Sequence, residues 1–283
     1  MMKTEMIMVV NDWPGLGKAA ASINVPILNA AQYEVALLPT LLLSTHTGFE
    51  GFVIKSLGDS FMEFAKHWQT QPVKYPAILT GYFENAAQIE QFVTYLEIIR
   101  LDQAQDAIVV TDPIMAEGGQ LYPGFTEDII TGMRHLLSQS DIILPNITEA
   151  YLLADLPYQP RPTHDELCQL TEKLHQLGPD NVIITGVHHN EQIGFFLSQK
   201  DHEPVYIMHQ YYETEYCGTG DTAISLLTVF HLAGDSLENS LKKSSILLEE
   251  AMNVSYQQGR SRNMGINFEK ILPKIATMMT KNI

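Results

Sequence analysis

One pattern constrains the fold of this chain more than any other. Short apolar runs of strand length alternate with longer stretches of helical spacing up to about residue 186. Met6–Val10, Ala77–Thr80, Ala107–Thr111, Asp141–Leu144 and Val182–Thr185 read as buried strands, each followed by a turn, a proline or a glycine. Between them Asp59–Gln69 is amphipathic, and Ala86–Arg100 sets Ile89, Phe92, Val93, Leu96 and Ile99 at helical spacing. Thr126 and Thr163 stand as N-caps for helices over 126–138 and 165–177. Lys18–Ala31 predicts a helical stretch broken at Pro26, and Pro39 separates the apolar runs Val35–Leu38 and Thr40–Ser44. Strands without a polar face are covered on both sides. The pattern therefore predicts an α/β fold with a mainly parallel sheet covered on both faces. Past Gly186 the pattern changes. Gln192–Leu197 and Pro204–Gln210 predict a hairpin or meander. Helices follow over 222–233, with Gly234 ending the first, then 237–257 and 268–281.

With 283 residues, no repeat and no low-complexity tract, the chain is expected to form a single domain over 1–283. The formal net charge is −16, so the chain lacks the basic footprint of a nucleic-acid binder and would be repelled by an anionic membrane. Two cysteines, Cys168 and Cys217, are too few for a secreted disulfide scaffold, and the N-terminal apolar run is too short for a signal peptide or membrane span. Those features predict a cytoplasmic protein.

Ligands of open α/β sheets bind at the carboxyl ends of the strands. Here those ends carry Asn11-Asp12, Gly81-Tyr82, Asp112 and Asn146. The first is followed by Gly15-Leu16-Gly17-Lys18, which invites comparison with phosphate loops. A Walker A loop requires glycine at 12 and a hydroxyl at 19, whereas the chain has Asp12 and Ala19. A dinucleotide fingerprint does fit 15–20, but Glu34, the acid at the right distance, precedes the next apolar run instead of following it. An NAD-dependent oxidoreductase therefore stays open only on a weak motif.

"CGTGD" at 217–221 is the stronger phosphate candidate. Gly218, Thr219 and Gly220 precede an apolar helix, so flexible backbone amides and a helix N-terminus form an anion hole. Asp221 either caps that helix or stands as a base beside a phosphate. Further along the strand ends, Asp112, Glu117 and Glu149 form a set of acids of the kind that holds Mg²⁺ together with water and phosphate oxygens.

Taken in order, "STHTGF" (44–49), "LTGYF" (79–83), "TDPIMAEGGQLY" (111–122), "LPNITEA" (144–150), "VIITG" (182–186) and "GTGD" (218–221) resemble the pyridoxal kinase family of the ribokinase-like superfamily over nearly the whole chain. The resemblance implies a three-layer α/β/α sandwich with a mainly parallel central sheet, ATP- and Mg²⁺-dependent phosphorylation of the 5′-hydroxymethyl group of a B6 vitamer, a homodimer, and a possible monovalent-cation requirement. It implies Asp221 as general base and Gly218, Thr219 and Gly220 as anion hole. Asp112, Glu117, Asn146 and Glu149 then handle Mg²⁺ and phosphates, and Thr185, with Thr219, contacts the nucleotide. His46, Thr47 and Tyr82 wall the vitamin pocket, and Asn11 or Asp12 meets the ring. The hairpin over 192–210 is expected to form part of the ATP cover. Hydroxymethylpyrimidine kinase remains the nearest alternative, because "DPIM…LY" is common to both groups. The sequence departs from the family at Ala116-Glu117 and at Leu144. Those departures leave room for a vitamin or nucleotide sensor without catalysis. Cys217, beside the anion hole, is read as packed and inert.

Overall fold

A computed structural model describes residues 4–102, 107–212 and 216–280. In chain order the elements are β1 (Thr4–Glu5), β2 (Ile7–Pro14), α1 (Ala21–Ala30), β3 (Val35–Leu43), β4 (Ile54–Ser56), α2 (Ser60–Gln69), β5 (Val73–Lys74) and β6 (Ala77–Thr80). Next come α3 (Ala86–Asp102), β7 (Ile108–Thr111), β8 (Ala116–Glu117), β9 (Gln120–Leu121), α4 (Glu127–Leu137), β10 (Ile142–Ile143), α5 (Ile147–Ala154) and α6 (His164–His175). The remainder is β11 (Asn181–His189), β12 (Gln192–Gln199), β13 (Val205–Gln210), α7 (Thr219–Leu232), α8 (Leu237–Gln257) and α9 (Leu272–Thr280), with short 3₁₀ turns at 262–264 and 268–270.

The chain divides into two compact units, one made of residues 1–78 and 209–283 and the other of 79–208. In the discontinuous unit, β2 pairs parallel with β3, and β4 adds antiparallel at the far edge of β3. Ile7, Met8, Val9 and Val10 are fully buried, as are Ile23, Ile27 and Leu28 of α1 and Leu226, Leu227 and Val229 of α7. In the continuous unit β10 lies between β7 and β11, parallel to both, while β11, β12 and β13 follow as a meander. Asn190-Glu191, both at positive φ, form the tight turn joining β11 to β12. The α/β class with a mainly parallel sheet flanked by helices is the one observed.

Three local expectations are corrected. First, β2 does not stop at Val10 but runs through Asn11 and Asp12 to Pro14, so these two polar residues belong to a buried strand. Its register with β3 shifts between Asn11 and Trp13, and that bulge re-aims the side chains. Second, Pro39 does not split β3. It faces Asn11 at the start of the irregular stretch, and β4 pairs with β3 only from Leu41 onward, so little ladder is lost at the proline. Third, α1 continues through Pro26. The apolar face of Ile23, Ile27 and Leu28 is wholly buried, and its packing outweighs the loss of one backbone bond.

The chain also contains a helix that periodicity does not announce. Asn146 caps α5, its side chain accepting from the Glu149 amide at 2.9 Å, while the Glu149 carboxylate accepts from the Asn146 amide at 2.9 Å. This reciprocal capping box starts a helix at only eight residues. Among the described residues no helix is long and apolar enough to cross a membrane.

Candidate active site

Asp221 sits in the first turn of α7, and Gly218 is the N-cap residue at φ 84°. Only glycine is comfortable there. A Cβ on Gly218 would lie 2.2 Å from Ile23 Cδ1 and 3.0 Å from the Lys18 carbonyl. The loop before α7 is tied back to the 262–266 segment, since the Cys217 amide donates to the Arg262 carbonyl and the Ile266 amide to the Cys217 carbonyl.

The Asp221 side chain is buried and does not serve as the cap of its own helix. Its Oδ2 accepts from the Ala20 backbone amide at 2.8 Å, and its Oδ1 from Asn11 Nδ2 at 3.5 Å. Ala20 is the N-cap residue of α1, at φ 52°. The first-helix terminus following the Gly15-Leu16-Gly17 turn is thus occupied by the chain's own carboxylate, where a dinucleotide fold would put pyrophosphate. This removes the main structural support for the NAD reading.

Burial raises the Asp221 carboxyl above its ordinary value, while the Ala20 and Asn11 donors, and more weakly the nearby His46, pull it back down. Asp12 has a different balance. Burial first and the Asp221 charge second push it up to about 7, with its own backbone amide acting in the opposite sense. Two carboxyl groups in one buried region do not both ionise freely, and the Ala20 and Asn11 donors favour the charged form of Asp221.

The remaining candidates in this unit divide clearly. Asn11 spends its amide inside the protein, donating to Asn24 Oδ1 at 3.0 Å and to Asp221, and accepting from the Asp12 amide at 3.0 Å. His46 is also committed. Nδ1 accepts from the Gly48 amide at 3.2 Å, so the proton lies on Nε2, which donates to the Asn263 carbonyl at 2.6 Å. Gly17 makes room for this ring, because a Cβ there would stand 2.5 Å from His46 Cδ2. Thr47 is exposed beside it.

In the continuous unit Glu149 is the centre. Its Oε1 accepts from the Met115 and Ala116 amides at 3.1 and 3.5 Å, and its Oε2 accepts from the Asn146 amide. Asn146 Nδ2 donates to the Ala116 carbonyl at 2.8 Å, and Thr148 Oγ1 accepts from the Gly119 amide at 3.0 Å. Together they hold the β8–β9 hairpin, whose turn is Gly118-Gly119, both at positive φ. Burial pushes the Glu149 carboxyl up to about 8. The three amides counter that rise, and the charge of Glu117 adds to it. Ala116 is wholly buried and Glu117 is exposed at the hairpin edge. Leu144 is a core side chain.

Asp112 is half-buried just after β7, its amide donating to the Thr80 carbonyl at 2.9 Å. Thr185 bridges to Asn146, its amide donating to the Pro145 carbonyl at 2.9 Å, immediately before the β11 bulge at Gly186. Tyr82 stacks on Phe125 with centroids 5.3 Å apart. Among the described residues no three His, Cys, Asp or Glu side chains cluster as a metal site. The acids therefore do not make an all-protein cage, but Mg²⁺ needs only one or two carboxylates when phosphates and waters complete its shell.

With this geometry in place, comparison with known proteins is decisive on family. The profile of the phosphomethylpyrimidine kinase family matches residues 64–265, well over half of the chain. The chain belongs to that family. Pyridoxal kinase from Lactobacillus plantarum is 32% identical, superposes with a TM-score of 0.87, and is covered over 98% of both chains. A Bacteroides thetaiotaomicron chain assigned as a phosphomethylpyrimidine kinase, crystallised with pyridoxal, is 30% identical with a TM-score of 0.90 over 96% of both chains. Bos taurus pyridoxal kinase is 28% identical over 180 residues, which is 60% of this chain and 54% of that protein. The matched region thus spans about half the length of the curated mammalian relative. The resemblance carried by the motifs is borne out at the level of family and fold.

Within this family frame, three structural contributors have no role assigned from the sequence: Asn24, which lies outside the motifs, Ala20, which ends the 15–20 fingerprint, and Thr148, which lies within LPNITEA. Ala20 acts through its backbone, which no side-chain pattern reveals. Asn24 did leave a signal, a polar residue set among Ile23, Ile27 and Leu28 on the buried face of a helix.

Proposed function

We propose that this chain is an ATP-dependent kinase that phosphorylates the 5′-hydroxymethyl group of pyridoxal, pyridoxine or pyridoxamine. The observation that carries the reading is the buried Asp221 side chain at the start of α7, directly after Gly218-Thr219-Gly220, with both oxygens accepting from N–H donors.

A primary alcohol is a weak nucleophile. Asp221 takes its proton as the oxygen attacks the γ-phosphorus and the bond from that phosphorus to the β–γ bridging oxygen breaks, releasing ADP, while the first-turn amides of α7 meet the negative charge that spreads over the transferring phosphoryl group. Removing a charge-matched donor or base of this kind costs orders of magnitude in rate. Asp12, close to half-protonated near neutrality, offers either a donor or an acceptor to the polar edge of a ring. Asn11 supports Asp221 in this reading, and His46 acts as a fixed wall. Tyr82 presents an aromatic face suited to a heterocycle.

When bound, Mg²⁺ would supply positive charge to offset that of the phosphates. Asp112 and Glu117 are the side chains that would hold it, directly or through water. Glu149, with three amides on its two oxygens, mainly fixes the backbone from which Glu117 projects. Asn146, Thr185 and Thr219 supply polar contacts to the nucleotide phosphates, and the β11–β12 hairpin contributes to the ATP cover.

A second reading, motivated by the phosphomethylpyrimidine kinase family match, is a hydroxymethylpyrimidine kinase, in which the same base deprotonates the same type of alcohol on a different ring. A coupled ADP-release assay across pyridoxal, pyridoxine, pyridoxamine and hydroxymethylpyrimidine decides between them. The proposal expects the highest kcat/KM on a B6 vitamer and loss of at least about a hundredfold in Asp221→Ala. Fastest turnover on the pyrimidine overturns the substrate, and near-normal turnover in Asp221→Ala overturns the base. Ligand binding with no ADP release from any substrate points instead to a sensor.

A further inference from the structure

The position of the Asp221 carboxylate depends on a side chain outside every motif. Asn24, in α1, is 1% exposed. Its Nδ2 donates to the Asp221 backbone carbonyl at 3.2 Å and to Ser225 Oγ at 2.9 Å. The Ser225 hydroxyl donates to the same Asp221 carbonyl at 2.7 Å. On its other side Asn24 Oδ1 accepts from Asn11 Nδ2 at 3.0 Å, and Asn11 reaches on to Asp221 Oδ1. A buried carboxamide loses its water, and stays in a core only where protein partners replace those hydrogen bonds. Here both donors and the acceptor are used, and each path from them ends on residue 221.

We propose that Asn24 is a positioning residue for the Asp221 carboxylate, resting on the reading of Asp221 as base. Its amide nitrogen fixes the backbone of residue 221 against α1. Its carbonyl turns the Asn11 amide so that an N–H points at Oδ1. The Ala20 amide holds Oδ2, and the Ala20 carbonyl accepts from the Asn24 amide four residues on at 3.1 Å. With both oxygens and the carbonyl fixed, the carboxylate keeps one orientation toward the space beside Gly218-Thr219-Gly220. A loose base spends most of its time out of line with the hydroxyl it must deprotonate, and such misplacement lowers the rate of the chemical step more than it lowers binding.

A residue that merely joined α1 to α7 would lower thermal stability and leave the folded enzyme's turnover intact. The test separates the two by measuring kcat, KM for pyridoxal and ATP, and Tm on the full chain. Asn24→Leu is close in volume and makes none of the hydrogen bonds. Its kcat is expected to fall about 10–100-fold, with both KM values within about twofold of wild type. Unchanged kcat, or a loss carried by KM alone, overturns the proposal. Where Asn24→Leu fails to fold, Ser225→Ala decides, with an expected fall in kcat of about three- to tenfold and an unchanged kcat as the overturning result. Asp221→Ala is measured alongside. If it retains turnover, the base assignment fails. If it is inactive while Asn24→Leu is normal, only the positioning role fails.

Discussion

Asp12 makes a strong prediction about stability. Its carboxyl stands at about 7 in the folded protein against an ordinary 3.8, chiefly because it is buried and secondarily because Asp221 is charged. The folded state therefore binds a proton that the unfolded chain releases between about pH 4 and 7, and stability falls as pH rises through that window. Above about 7 the proton is lost from both states and the contribution levels off at its least favourable. At about 1.4 kcal/mol per decade the full difference is about 4 kcal/mol, and relaxation around the buried charge reduces the expected figure to about 2–4 kcal/mol. Asp12→Asn keeps the shape and removes the titration. Its advantage over the native protein should be smallest near pH 4–5, grow toward pH 7 and hold steady at pH 8.5. For a chain of this size the plateau corresponds to roughly 3–7 °C in Tm. Thermal melts of both proteins from pH 5 to 8.5 measure it. Glu149 titrates in both and cancels in the difference. Parallel Tm curves, or an advantage that shrinks as pH rises, would refute the reasoning by showing that Asp12 is already ionised at acid pH in the folded state.

Other perturbations test the supports around the two centres. Gly218→Ala forces a left-handed backbone and a collision with Ile23 Cδ1, so a loss of about 2–5 kcal/mol is expected in urea unfolding. A second change, Ile23→Val, removes that Cδ1 and should recover part of the loss; no recovery would place the damage elsewhere. Glu149→Ala leaves the Met115, Ala116 and Asn146 amides without their acceptor, and should cost about 2–4 kcal/mol. Faster hydrogen exchange at Met115 and Ala116 is the direct readout, and unchanged exchange there would mean the carboxylate does not hold the hairpin.

Much of the architecture was legible because it rests on periodicity. Buried strands such as Ala77–Thr80 and helices such as Leu237–Gln257 have the expected bounds, since apolar burial determines both the pattern and the structure. The misreadings occur where packing overrides a local rule. Pro26 and Pro39 are breakers by propensity, yet a wholly buried helix face and a sheet bulge absorb them. Helix α5 was missed because its eight residues are too few for periodicity to show, although Asn146-x-x-Glu149 is a capping signal. At the site, the GTGD run revealed Asp221, whereas its contacts did not follow from spacing. Ala20, Asn24 and Asn11 lie about two hundred residues earlier, and only the folded chain brings them to the carboxylate.

That separation has a consequence during synthesis. Residues 79–208 form a unit from one uninterrupted stretch, while the other unit needs both ends of the chain. The Ala20–Asp221 bond spans 201 residues. At about 5–20 residues per second, a ribosome takes roughly 10–40 s to pass from one to the other. During that interval β2, β3 and α1 wait with Asn24 and Asn11 lacking the partners that α7 will bring, and with their apolar surfaces uncovered by it. The middle of the protein is free to fold as it emerges. The part that bears the base can be completed only after residues 209–283 have emerged, which leaves residues 1–78 exposed to chaperones and to aggregation throughout that interval.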